Sequence, residues 1–122
     1  MMVGVGVDIV DIARFERALA RTPRLRERLF GDPDASGEEL NSASLAARFA
    51  AKEATLKALG GNIAGFSWHD IHVTREAGQR PGLVLSGGVE ARASARLVVS
   101  HHVSLSHDGG MAIAFVVMEG AS

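Results

Sequence analysis

The sequence predicts an α+β fold, a single small domain over residues 1–122 with an antiparallel sheet packed on one long helix. Three observations predict it. An alternating apolar strand opens the chain, an alanine-rich helical run fills residues 44–59, and the last third reads as strands joined by a tight turn. A chain of 122 residues has room for one core and none for a second.

Met2–Val10 reads as a strand, with Val3, Val5, Val7 and Ile9 on one face and Gly4, Gly6 and Asp8 on the other. Two glycines beside a carboxylate leave a face that a ligand or another backbone can approach closely. Ile9 stands where a G-x-G-x-x-G fingerprint needs its third glycine, so a dinucleotide-binding loop is excluded. Asp11–Arg21 reads as a helix with Asp11 as N-cap and Ile12, Phe15 and Leu19 as its apolar stripe. Thr22-Pro23 ends it and can start the next helix, Thr22 as cap and Pro23 at the first helical position. Gly31–Asp34 reads as a loop, and Ser36-x-x-Glu39 as the capping box of a short helix. Ser44–Leu59 is the clearest helix, stopped by Gly60-Gly61. Strands follow at His69–Thr74 and Gly82–Leu85, around a turn at residues 76–79, and a short helix at Val89–Arg96. Leu97–Ser106 and Met111–Val117 form a hairpin around Asp108-Gly109-Gly110. The last strand is apolar on both faces, which places it at the centre of the sheet or at a subunit contact.

Composition removes several function classes. A net charge of −1 disfavours a general nucleic-acid surface. The absence of cysteine removes disulfide scaffolds, thiol nucleophiles and cysteine zinc sites. The apolar run Met111–Met118 is far short of the ~20 residues of a membrane helix. The N-terminus carries no basic leader and meets Asp8 early, unlike a signal peptide, so a cytoplasmic home is expected. Aromatic residues make up only 5%, a thin core that oligomerisation would complete.

Four clusters could carry chemistry. Glu53 and Lys57 share a helix face, with Arg48 and Lys52 on the preceding turns. Such a group is either a solvated salt-bridge face or a metal-binding carboxylate with a phosphate-binding lysine. Magnesium needs only one or two carboxylates on phosphate substrates, and Asp8 on its glycine-lined face offers the second. His107 shares a strand face with Val103 and Leu105, so it points inward at the strand's end, as an interior histidine or a functional one. Ser106, His107 and Asp108 cannot form a triad among themselves, because neighbours on a strand face opposite ways. His69-x-x-His72 and His101-His102 lack the spacing of a zinc site. Residues 14–28 hold six arginines against two glutamates. Within them Arg14, Arg17 and Arg21 form one helical stripe that suits an acidic macromolecular partner.

The sequence resembles the holo-acyl-carrier-protein synthases, the short bacterial phosphopantetheinyl transferases. Three blocks carry the resemblance: Gly6–Ile12 with Arg14, Arg48–Ala54 with Lys57–Gly60, and Ser104–His107 running into Ala112-x-Ala114. Trp68-x-Asp70-Ile71 and Pro81-x-Leu83-x-Leu85 match more weakly, and Met111 stands where many members have tyrosine, a packing change. The resemblance implies transfer of 4′-phosphopantetheine from coenzyme A to a serine of apo acyl carrier protein, releasing adenosine 3′,5′-bisphosphate. It implies that Asp8 and Glu53 bind Mg²⁺, and that Lys57 and His107 contact the coenzyme A diphosphate. By the same resemblance Arg48 and Pro81 are further candidate coenzyme A contacts and Arg14, Arg17 and Arg21 dock the carrier protein. A carboxylate must take the serine proton, directly or through a metal-bound water, with Glu53 the first candidate and Asp108 the second. A homotrimer with sites between subunits is implied as well. The rival readings are another magnesium-dependent phosphotransferase or pyrophosphatase, and a carrier-protein or RNA-binding module built on the arginine helix.

Overall fold

In the computed structural model, which describes residues 1–31, 41–75 and 79–122, the chain runs β1 (Met2–Asp11), α1 (Ile12–Arg21), α2 (Leu25–Leu29), α3 (Ser42–Ala58), a 3₁₀ turn (Trp68–Asp70), β2 (Ile71–Thr74), β3 (Gly82–Leu85), α4 (Gly87–Ala95), β4 (Val98–Asp108) and β5 (Met111–Gly120). The Asp32–Asp34 part of the expected loop, the Ser36/Glu39 capping box and residues 76–78 of the expected turn lie outside the described residues.

β1, β5 and β4 form an antiparallel sheet in that order, with β5 in the middle, and β2 and β3 form a separate antiparallel pair. β5 is central as expected, but only its helix-facing side chains are buried; Ile113 and Phe115 on its other face are exposed. Register sets Val7 opposite Phe115 and Phe115 opposite Ser104, and sets Val10 opposite Ala112 and Ala112 opposite His107. One face of the sheet therefore carries Gly4, Gly6, Asp8, Ala112, Ala114, Val116 and His107, and α3 packs on it.

Small residues allow that packing to be close. A β-carbon at Gly6 would stand 1.8 Å from the Ala54 carbonyl oxygen, and one at Gly4 would stand 1.9 Å from that of Ala58. The glycine face of β1 thus receives the backbone of α3. Ala50, Ala51 and Ala54 of α3 are fully buried in a core shared with the sheet and the β2–β3 pair, and Ala46 in a second core with Phe15, Leu29 and Phe30. The apolar face of β1 points the other way, away from the helix. Val7 is 52% exposed and Phe115 beside it 45%, with Val5, Ile9 and Ile113 completing an open apolar surface.

Several boundaries differ from the sequence reading. Asp11 caps α1 as expected, its side chain accepting from the Arg14 amide at 2.9 Å. α2 begins at Leu25 with no side-chain cap, because Thr22 closes α1 instead. α3 begins two residues early, capped by Asn41, whose side chain accepts from the Ser44 amide at 2.8 Å. Trp68–Asp70 is a 3₁₀ turn capped by Ser67, so β2 starts only at Ile71. β4 continues through His107 and Asp108 to the turn at Gly109 and Gly110.

Candidate active site

Asp8 lies on the helix-facing side of β1, and the close seating of α3 brings Glu53 and Lys57 beside it. The Lys57 Nζ is 3.0 Å from Asp8 Oδ1 and donates to the Val7 carbonyl, also at 3.0 Å. Burial raises the Glu53 pKa above the ordinary carboxylate value, and the Asp8 charge raises it further, against an opposing pull from Lys57. Asp8 and Glu53 open on a cleft of about 400 Å³ that Asp11, Arg14, Phe15 and Phe49 also line. Two carboxylates that repel each other at a half-open cleft suit a hard divalent cation. Among the described residues no three His, Cys, Asp or Glu side chains converge. A cation at Asp8 and Glu53 would therefore take further ligands from water and substrate oxygens.

A second cleft lies elsewhere on the molecule, lined by Ser44, Arg48, Val73, Arg75, Leu105 and His107. It adjoins a third, lined by Arg80, Pro81 and Ser104 and sharing Arg75 and Leu105 with it. Arg48 donates to the Val73 carbonyl. The second cleft shares no lining residue with the Asp8 cleft. Arg48 and Glu53, five residues apart, project about 140° from each other around α3. The structure thus divides the residues singled out from sequence into two groups. Asp8, Glu53, Lys57 and Arg14 stand by β1, whereas Arg48, Pro81 and His107 stand by β4.

Three sequence readings change. His107 shares the helix-facing side of β4 with Leu105 but is exposed at the cleft rim, not interior, because it lies near the end of an edge strand. Asp108 Oδ1 accepts from the Gly109 amide at 2.9 Å and so serves the hairpin turn, lining none of these clefts. Lys52 is not on a solvated face. It is 0% exposed, donates to the carbonyls of Trp68, at 2.9 Å, and Ile71, and stands 5.7 Å from the Phe30 ring centroid. The sequence reading missed Arg75 and Arg80 as cleft residues, since they flank a turn where no periodicity points to a shared face. Arg14, Arg17 and Arg21 are exposed along α1, and Arg14 also reaches the Asp8 cleft. His69 Nε2 lies 2.6 Å from the Glu27 carbonyl, and His102 Nε2 lies 2.5 Å from Glu119 Oε1 on the open face of the sheet.

The family model for the 4′-phosphopantetheinyl transferase superfamily matches residues 4–116. A holo-[acyl-carrier-protein] synthase of Leifsonia xyli is 52% identical over 119 residues, 98% of each chain. One from Kocuria rhizophila is 56% identical over 119 residues, 98% of this chain and 94% of that one. The crystal structure of the Helicobacter pylori holo-[acyl-carrier-protein] synthase in complex with coenzyme A superposes with a TM-score of 0.78 at 33% identity, covering 94% of this chain and 99% of that one.

Proposed function

This chain belongs to the 4′-phosphopantetheinyl transferase superfamily, as an enzyme of the holo-[acyl-carrier-protein] synthase type, and we propose that it performs a magnesium-dependent transfer of 4′-phosphopantetheine from coenzyme A to a serine of apo acyl carrier protein. The observation that carries the reading is that Asp8 and Glu53 line one cleft together with Arg14, while Lys57 pairs with Asp8 at 3.0 Å. Asp8 and Glu53 would hold Mg²⁺, which supplies charge neutralisation on the diphosphate. Lys57 adds a positive charge to the same group.

In the proposed step the serine oxygen forms a bond to the phosphorus that carries pantetheine. The bond from that phosphorus to the bridging oxygen breaks, and adenosine 3′,5′-bisphosphate leaves with the electron pair. A carboxylate takes the serine proton. Glu53 suits this role because it lines the same cleft as Asp8, where it can take the proton directly or through water. Asp108 suits it less, since an oxygen of its carboxylate is engaged in the hairpin turn. His107, with Arg48 and Pro81, would hold coenzyme A from the second group of clefts, and the arginines of α1 would receive the acidic carrier.

Two features support assembly as a homotrimer. The apolar face of β1 and β5 is open in the single chain, and covering it with another copy removes that surface from water. The two groups of site residues also lie by opposite edges of the sheet, so a second copy can complete what one copy divides. A cytoplasmic location goes with this reading. Incubation with coenzyme A, Mg²⁺ and apo carrier protein, read by intact mass, tests it. Addition of one phosphopantetheine is the expected result, and an unchanged carrier mass would refute it.

A further inference from the structure

Beyond the cleft residues, one buried-facing cation holds the chain where α3 ends. Arg92 of α4 donates from Nη1 to the carbonyls of Leu59 and Gly61 and from Nη2 to that of Asn62, all at 2.9 Å. The segment it grips is unusual. Gly60, Gly61 and Asn62 have φ values of 88°, 68° and 49°, three left-handed residues in succession, the last of them not glycine. The carbonyls of Leu59, just before this run, and of Gly61 and Asn62 within it find a donor in Arg92. Arg96 lies over the same turn, where a β-carbon at Gly60 would stand 2.9 Å from its guanidinium.

This grip is tied to the Asp8 cleft. The Gly60 amide donates to the Lys57 carbonyl at 3.1 Å, and the Gly61 amide to that of Leu56 at 2.8 Å. Lys57, in the same last turn, reaches Asp8 and the Val7 carbonyl. We infer that Arg92 is a positioning residue for the coenzyme A half of the reaction: it clamps the 59–62 turn and so fixes the last turn of α3, from which Lys57 meets Asp8. The inference rests on the transferase reading given above. A planar fork is what the arrangement requires, since three carbonyls are served from two nitrogens of one guanidinium. A lysine ammonium keeps the charge and loses that geometry.

Arg92→Lys tests this, with Arg92→Ala beside it. In R92K the KM for coenzyme A should rise about tenfold while the KM for carrier protein stays near the parent value. Calorimetric Kd for coenzyme A should rise in parallel, and amides 60–62 should exchange faster while those of β5 do not. R92A should move the same readings further, and if it fails to fold, R92K decides. An R92K enzyme with a lowered melting temperature but unchanged KM and Kd for coenzyme A would reduce Arg92 to a structural clamp and overturn the inference. A parent chain that binds no coenzyme A and transfers nothing overturns the proposed function itself. A parent that transfers normally, with R92K equal to it, overturns only the role of Arg92.

Discussion

Glu53 is held where its ionised form is disfavoured, and this has a sign that can be measured. Burial and the Asp8 charge raise its pKa in the folded protein. The stability this group contributes is therefore complete below the ordinary carboxylate range and is lost as pH rises through the raised folded value. Glu53→Gln should melt higher than the parent at pH 7, with the difference closing below about pH 4. The same variant should lose turnover by about a hundredfold or more. Mg²⁺ should raise the melting temperature of the parent and not of the variant, by scanning calorimetry. Equal melting curves with and without Mg²⁺ in the parent would remove Glu53 and Asp8 as ligands. Lys52, one residue before Glu53, shows how far such assignments were readable. One step along a helix turns a side chain by about 100°, enough to take Lys52 from the cleft into the interior. In the sequence both belonged to one charged stretch, and partners distant in the chain, among them the carbonyls of Trp68 and Ile71, make the interior tolerable for an ammonium.

At the level of elements, the contact between β1 and α3 depends on two absent side chains. Gly6→Ala would drive a methyl group into the Ala54 carbonyl, which belongs to a helix and cannot rotate away. It should cost about 3 kcal/mol, read as a lowered urea midpoint, and should also reduce turnover, since Asp8 lies two residues on. The alternation of glycine and valine made this face legible in the sequence, and its openness to another backbone was readable too. What could not be read was that the helix takes the glycine side and leaves the valines outside, because that choice depends on a neighbour 48 residues away. Starts of elements were obscured by local chemistry of similar strength. Asn41 and Ser44 are both good caps, and Thr22 can close one helix as well as open the next. Along α1, Arg14, Arg17 and Arg21 repel one another and are exposed. Arg14→Glu or Arg21→Glu should raise the KM for carrier protein about tenfold, on the order of 1.4 kcal/mol, with the KM for coenzyme A nearly constant. Equal damage to both constants would assign the arginines to the nucleotide site instead.

For the whole molecule, the proposed trimer would bury the open face of β1 and β5. Val7→Asp places a charge in the middle of that face without touching the helix side, and it should yield monomers by sedimentation velocity with little transferase activity. A monomer that turns over at the parent rate would show that one chain holds a complete site. The fold class was readable because long-range order here follows local pattern: alternation in β1, alanine along α3, and a two-glycine turn between β4 and β5. The division of the two residue groups was not, because Asp8 and His107 are set apart only when β5 comes between β1 and β4, and which sides of α3 Glu53 and Arg48 take toward them follows from that packing. That strand order has a consequence for mixed populations. Asp8→Asn damages the β1 edge and leaves the β4 edge whole, while His107→Ala does the reverse. Each protein should be inactive alone. Unfolded together in equal amounts and refolded, they should regain activity, because about a quarter of the junctions join two undamaged edges. Two defective alleles expressed in one cell should then support growth that neither supports singly.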